Sequence, residues 1–331
     1  MPDAIVLENV RKTFGPKVAV DDMTLRVEEG GLYGFIGPNG AGKTTSIRMI
    51  MSIIFPDSGR LSVLGKASAV ESKDRIGYLP EERGVYRKMK VGAFLNYIAR
   101  LKGADAGPKL TSRIRDWLER VDLGPETKKR CEELSKGMQQ KVQFIACVIH
   151  EPDLLILDEP FSGLDPVNMR LMRDLFLEQH QQGRTMIFST HVMHQAEQLC
   201  DHIVMINRGR KVLDDTLDDI RARYAPRALQ VDLFDPAHEA DLAAVPCVRD
   251  VEGVEGEFIA HLTDDAAPTD ALRQVAAAVP VRGIELRTPT LEDVFIDKVQ
   301  KEHAGMTEEE IRASIRHGVA EPVAAGEGGA A

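Results

Sequence analysis

Three short apolar runs stand out along the chain: LYGFIG (32–37), LLILDEP (154–160) and TMIFSTH (185–191). Each closes on glycine or polar residues at its C-terminal end. Runs of this kind predict parallel strands buried on both faces, with ligands gathered at those C-terminal ends. Upstream, Ile5 to Val27 reads as short strands with a turn at Gly15-Pro16. After the first run, Ile47, Ile50, Met51 and Ile54 recur at i, i+3, i+4 and i+7, which predicts a helix beginning at Lys43. Helical periodicity also dominates residues 91–150. VGAFLNYIARLKG forms one helix, Ile114, Trp117, Leu118 and Val121 mark a second, and KGMQQKVQFIACVIH forms a third. Together they read as a helical subdomain, about 88–150, inserted between α/β elements. HIVMINRGRKVLDD (202–215) reads as a hairpin that closes this first domain, assigned to residues 1–222.

Beyond about residue 225 the pattern changes. ALQVDLFD, GEFIAHLT and VRGIELRTP read as strands, with DALRQVAAAV as a helix between the last two, giving a small α+β domain over 225–300. Residues 301–331 read as one helix, at 306–317, and then a disordered Gly/Ala-rich tail. Charge marks the same boundary. Residues 1–220 hold 31 Lys+Arg and 31 Asp+Glu, leaving 42 − 31 = 11 against 52 − 31 = 21 beyond, so the net charge of −10 lies after residue 220. An acidic C-terminal region argues against a basic nucleic-acid-binding tail. Four scattered cysteines with no C-x-x-C pair exclude an obvious zinc site or disulfide framework and fit a reducing cytoplasm. MPDAIVLENV lacks the basic and apolar layout of a signal peptide. No window approaches the roughly 18 apolar residues a bilayer span requires. A membrane role therefore needs another chain to supply the membrane part.

Chemistry concentrates at the ends of the apolar runs. Gly37, Gly42, Lys43 and Thr44 satisfy G-x-x-x-x-G-K-[ST] between a strand and a helix. Glycine lets backbone N–H groups face inward around phosphate oxygens, lysine reaches the β- and γ-phosphates, and the Thr44 hydroxyl can ligate Mg²⁺. This pattern predicts a nucleoside triphosphate site. LLILDEP ends on Asp158-Glu159, where one carboxylate can hold Mg²⁺ through water while the next polarises an attacking water. LSKGMQQK (134–141) sits just before a helix. Its serine and glycine either form an anion site from N–H groups and the helix dipole, or simply cap the helix.

GPNGAGKT, LSKGMQQ, LLILDEP, SGLD (162–165) and STH (189–191) occur in the order and spacing of an ABC ATPase, which the chain resembles over about residues 4–220. The resemblance implies an α/β P-loop NTPase core with a helical subdomain, here followed by the small α+β domain. It implies that Phe14 stacks on adenine, and that Gly37, Pro38, Asn39, Gly40, Ala41, Gly42, Lys43, Thr44 and Thr45 hold ATP. Thr44 and Asp158 would hold Mg²⁺, Glu159 would act as general base, and His191 would touch the γ-phosphate. Ser135 and Gly137 would contact ATP held by the other subunit, with Asp165 coupling the two sites. The implied assembly is two ATPase domains, from a second copy or a homologous subunit, closing over two ATP molecules.

Two segments depart from the family. Lys136 and Met138 stand inside the signature, usually LSGGQ, while Ser135 and Gly137 are intact. Glu81, in IGYLPEERGVY (76–86), stands where the family has a glutamine that senses Mg²⁺ and ATP. A carboxylate there can also ligate Mg²⁺, while adding negative charge near the γ-phosphate. TPTLEDVFIDKV (288–299) resembles the end of an accessory domain found in bacterial exporter subunits of the sodium- and drug-efflux kind. The resemblance thus implies an ATP hydrolase coupled to export, cytoplasmic and peripheral on the inner face of the membrane through a separate multi-helix permease, with no nucleic-acid partner. The alternative is a soluble ABC-type ATPase acting on ribosomes or DNA; one glycine loop, no sustained heptads and no basic arm argue against it. A P-loop GTPase or kinase would leave the signature and SGLD segments without a role. The cargo is open among ion, drug, lipid and peptide.

Overall fold

The structure is a computed structural model that describes residues 2–82, 84–224, 228–254, 257–263, 265–302 and 308–317. Of these, the residues up to Thr216 and from Ile296 onward form one compact unit, and Leu217–Phe295 form another.

The first unit runs β1 (Asp3–Phe14), β2 (Lys17–Glu28), β3 (Leu32–Ile36), α1 (Lys43–Ile50), β4 (Ser58–Val63), β5 (Ile76–Leu79), α2 (Val91–Leu101), α3 (Pro108–Arg120), α4 (Lys136–Val148), β6 (Leu154–Asp158), α5 (Pro166–Gln181), β7 (Thr185–Thr190), α6 (Met193–Leu199), β8 (His202–Asn207) and β9 (Arg210–Thr216). Six strands form a sheet in the order β5-β6-β7-β3-β8-β9. All neighbours are parallel except β8 and β9. The three apolar runs become β3, β6 and β7 side by side, and every residue of each is buried. Their uninterrupted hydrophobicity is what a strand covered on both faces requires.

β1 and β2 are longer than the short strands expected, and with β4 they form an antiparallel sheet. In β2, Met23, Leu25 and Val27 are buried while Thr24, Arg26 and Glu28 are exposed, the period of a strand with one covered face. That face shares a core with Phe35, Ile47, Ile50, Ile156, Ile187 and Val204, so both sheets and α1 close on one hydrophobic interior. α1 stops at Ile50, one turn short of the Ile47–Ile54 pattern. The amides of Ile53 and Ile54 fold back onto the Arg48 carbonyl at 2.9 and 3.2 Å, and Ser52 takes a left-handed φ of 54°. Ile54 still reaches the core, but from the loop.

The second unit holds α7 (Leu217–Arg223), β10 (Ala228–Leu233), α8 (Glu239–Ala243), β11 (Val248–Val254), β12 (Glu257–Leu262), α9 (Pro268–Ala278) and β13 (Val281–Leu286). Its strands form an antiparallel sheet ordered β11-β12-β10-β13. Leu229, Val231, Phe258, Ala260 and Leu262 of the sheet pack with Leu242 of α8 and with Ala271 and Val275 of α9. α10 (Leu291–Glu302) crosses the division between the units, and α11 (Glu308–His317) follows. The disordered tail expected over the last residues lies outside the described residues.

Candidate functional site

β3 delivers the chain to Gly37, whose φ of 149° and surroundings both demand glycine: a Cβ there would lie 2.0 Å from the Ile206 carbonyl oxygen. Gly42, at φ 110°, caps α1, and its Cβ would lie 2.6 Å from the Ala19 oxygen. The loop is fixed to β8–β9 by the Gly209 amide donating to Ala41 O at 2.8 Å. Lys43 opens α1 and is only 5% exposed. Its Nζ folds back to donate to Gly37 O at 2.7 Å and Pro38 O at 3.2 Å. Burial pushes this ammonium below its ordinary range, against the pull of Glu159, Asp158 and Glu81. A desolvated cation beside the N-terminus of α1 is a receptor for a multiply charged anion.

The next features come from the ends of β6 and β7, where Asp158 and Ser189 are partners in the ladder. Asp158 Oδ1 accepts from Ser189 Oγ and, at 3.4 Å, from Thr44 Oγ1. Burial raises the Asp158 carboxyl above its ordinary range, while the bonds from Ser189 and Thr44 oppose that rise. Its second oxygen, Oδ2, is buried without a hydrogen-bond partner. An orphaned carboxylate oxygen beside a threonine hydroxyl is a hard-oxygen donor set that fits Mg²⁺.

Glu159 follows directly, with a left-handed φ of 47°. For a residue with a long side chain this conformation costs on the order of 1–3 kcal/mol and persists only where the surroundings impose it. Here its amide donates to Ser189 O at 3.1 Å. The turn leaves Glu159 9% exposed, with its carboxylate 2.9 Å from His191 Nδ1, 3.4 Å from Thr190 Oγ1 and 4.0 Å from Lys43 Nζ. The hydrogen bond to Glu159 raises the His191 imidazole above its ordinary range. A base that is hydrogen-bonded, oriented and largely shielded from water can take a proton from an incoming nucleophile.

Glu81 approaches from the neighbouring strand. β5 and β6 end on the pair Leu79 and Leu157, and Glu81 follows Leu79 by two residues. Burial, then the charges of Asp158 and Glu159, push the Glu81 carboxyl up. Three carboxylates therefore converge near one lysine.

The remaining sequence candidates lie elsewhere. Ser135 caps α4, accepting from the Met138 amide at 3.3 Å. A Cβ at Gly137 would meet Leu164 Cδ2 at 3.8 Å and Asn168 Nδ2 at 3.5 Å, so this stretch lies against the end of the SGLD segment and the start of α5. Asp165 caps α5, accepting from the amides of Val167 at 3.1 Å and Asn168 at 3.0 Å. Those bonds, Asn168 first, hold its carboxyl below the ordinary range. Phe14, at the end of β1, is 51% exposed, with Lys12 Nζ 5.5 Å from its ring centre.

Sequence reading gave no role to Thr190, or to Gln140 and Gln143 of α4. Gln140, Lys141 and Gln143 are polar positions ahead of a stretch that is apolar from Phe144 on, and this pattern alone points to no role. A cavity of about 260 Å³ is lined by Arg75, Asp153, Arg184 and Thr185. It lies at the N-terminal ends of β5, β6 and β7, the opposite edge from Lys43, and Arg75 is already paired with Asp153 at 2.6 Å.

Comparison with known proteins gives the following. The ABC transporter family model matches residues 20–162, and the model for the C-terminal domain of DrrA1-3-like ATP-binding proteins matches residues 216–299. The chain is 38% identical over 304 residues to the uncharacterised ABC transporter ATP-binding protein YhaQ of Bacillus subtilis, covering 89% of this chain and 98% of that one. It is 32% identical to the daunorubicin resistance ATP-binding protein DrrA3 of Streptomyces coeruleorubidus, covering 88% and 95%. It is 32% identical to the Nod factor export ATP-binding protein I of Rhizobium sp. (strain N33), covering 88% and 96%. A solved structure of the ATP-binding subunit of an ABC transporter superposes with a TM-score of 0.62 at 29% identity, over 67% of this chain and 93% of that one.

Proposed function

This chain belongs to the ABC transporter ATP-binding proteins, and from that premise we propose that it hydrolyses ATP to drive export through a separate membrane permease. The observation that carries the reading is the bonded cluster of Lys43, Thr44, Asp158, Glu159, Ser189 and His191 at the C-terminal edge of the six-stranded sheet.

Binding begins at the loop Gly37–Thr45, where the backbone N–H groups of Asn39, Gly40, Ala41, Gly42, Lys43, Thr44 and Thr45 surround the phosphates and Pro38, which has no N–H, shapes the turn. Lys43 exchanges the Gly37 and Pro38 carbonyls for the β- and γ-phosphates. Thr44 and Asp158, with Glu81 nearby, would hold Mg²⁺, which when bound would neutralise charge on the phosphate oxygens. Phe14 stacks on the adenine. Glu159 takes a proton from the attacking water as the water oxygen bonds to the γ-phosphorus and the bond to the β-phosphate oxygen breaks. His191, fixed by Glu159, presents its other nitrogen to the γ-phosphate. The left-handed turn at Glu159 supports this role, because it holds the carboxylate between His191 and Lys43.

Ser135 and Gly137 belong to a surface with Leu164, Asp165 and Asn168, outside the Lys43 cluster. That separation supports a site completed by a second ATPase subunit, with Ser135 and Gly137 reaching the partner's ATP and Asp165 coupling the two. The names of the daunorubicin resistance and Nod factor export relatives support export. Among the described residues no helix is long and apolar enough to cross a membrane. We place the chain in the cytoplasm, peripheral on the inner face of the membrane through its multi-helix permease.

Light scattering tests the dimer. Glu159→Gln with ATP and Mg²⁺ should run at about twice 36.6 kDa, and the same protein with ADP, or carrying Ser135→Arg, should remain monomeric. A monomer in every nucleotide state would contradict the two-subunit site.

A further inference from the structure

α4 is buried at every position from Gln140 to Val148, so each polar side chain on it needs an explanation. Lys141 Nζ donates to Val121 O at 3.2 Å, and Gln140 Nε2 to Pro160 O at 3.1 Å. Gln143 is 5% exposed, and its Nε2 donates to Glu82 O at 3.2 Å. Its other end, Oε1, is buried with no partner.

Packing does not account for Gln143. A buried amide whose carbonyl oxygen has no hydrogen-bond partner stabilises poorly, and a methionine of similar length would fill the space without that cost. What the side chain does is hold the backbone of the residue after Glu81. A Cβ at Gly84 would lie 3.8 Å from Gln143 Nε2, so the loop continues past the same amide. Three residues earlier on the helix, Gln140 holds the carbonyl of the residue after Glu159. One helix, opened by Ser135, therefore grips the chain beside two of the three converging carboxylates.

We propose that Gln143 is a positioning residue: its amide fixes the Glu81 carboxylate relative to the Mg²⁺–ATP site and ties it to the helix that Ser135 begins. This rests on the function proposed above. Glu81 acts on the bound metal and nucleotide, and Gln143 acts through Glu81. The consequence is a separation of stability from function at one buried residue.

The test compares wild type, Gln143→Met, Glu81→Ala and the double variant. For each we would measure the melting temperature, the Kd of a fluorescent ATP analogue without divalent ions, the Mg²⁺ concentration for half-maximal analogue binding, and kcat. Gln143→Met should keep the melting temperature at or above wild type and leave the metal-free Kd unchanged. Its Mg²⁺ midpoint should rise about tenfold, with a similar fall in kcat, as for other outer partners of a metal ligand. In the Glu81→Ala background, Gln143→Met should change either quantity by less than about twofold, because the group it positions is gone. A lower melting temperature with an unchanged Mg²⁺ midpoint would make Gln143 a packing residue and overturn the inference. So would an equal effect with and without Glu81. A wild-type protein with no Mg²⁺-dependent ATP turnover would instead overturn the functional reading beneath it.

Discussion

Glu159→Gln is expected to lower ATP turnover by about a hundredfold to ten-thousandfold, the usual contribution of a general base, while ATP affinity stays near wild type. Glutamine keeps the size and one carbonyl oxygen, so the turn held by Ser189 and the packing around it survive. What it loses is the capacity to accept a proton from the attacking water. It also replaces the carboxylate whose hydrogen bond, and then charge, raises His191, so the imidazole should titrate lower in the variant. Steady-state turnover and equilibrium binding, measured on one preparation, separate the two quantities. Wild-type turnover in Glu159→Gln would mean that another group is the base.

Lys43→Ala acts on the earlier step. Its ammonium is buried at the loop and already partly desolvated, so a phosphate replacing two carbonyls gains a charge-assisted bond without stripping much water from the lysine. Such bonds contribute roughly 1.5–3 kcal/mol, which converts to an affinity loss of about ten- to a hundredfold. The fold should tolerate the change, because the loop is also held by the Gly209–Ala41 bond. Titration calorimetry with ATP reads the effect, and unaltered affinity would remove Lys43 from the phosphate site.

The parts of this fold that could be read from sequence are those whose cause is local. LYGFIG, LLILDEP and TMIFSTH declare buried strands by composition alone, and the amphipathic periods of α2, α3 and α4 declare helices. Their order in the sheet, with β7 between β6 and β3, is a long-range outcome that no window carries. β11 was missed because Arg249, Asp250 and Glu252 break its apolar run; it is an edge strand and can afford them. α5 was missed despite a clear start signal, Asp165 as cap and Pro166 in the first turn.

At the site, Lys43, Thr44, Asp158 and Glu159 were legible because phosphate and metal chemistry constrain short spacings. The Ser189–Asp158 bond was not, since it depends on the β6–β7 register. Gln143 was hidden for the same reason: inside QFIACVI it reads as one more position on a buried helix. Its partner, the Glu82 carbonyl, lies 61 residues away.

An ATPase that drives a separate permease should carry that permease with it when isolated. Tagged Glu159→Gln would be isolated with ATP from detergent-solubilised membranes of its own host, and co-purifying chains identified by mass spectrometry. The expected result is one stoichiometric multi-helix membrane protein. Ribosomal or DNA-bound partners with no membrane protein would contradict it.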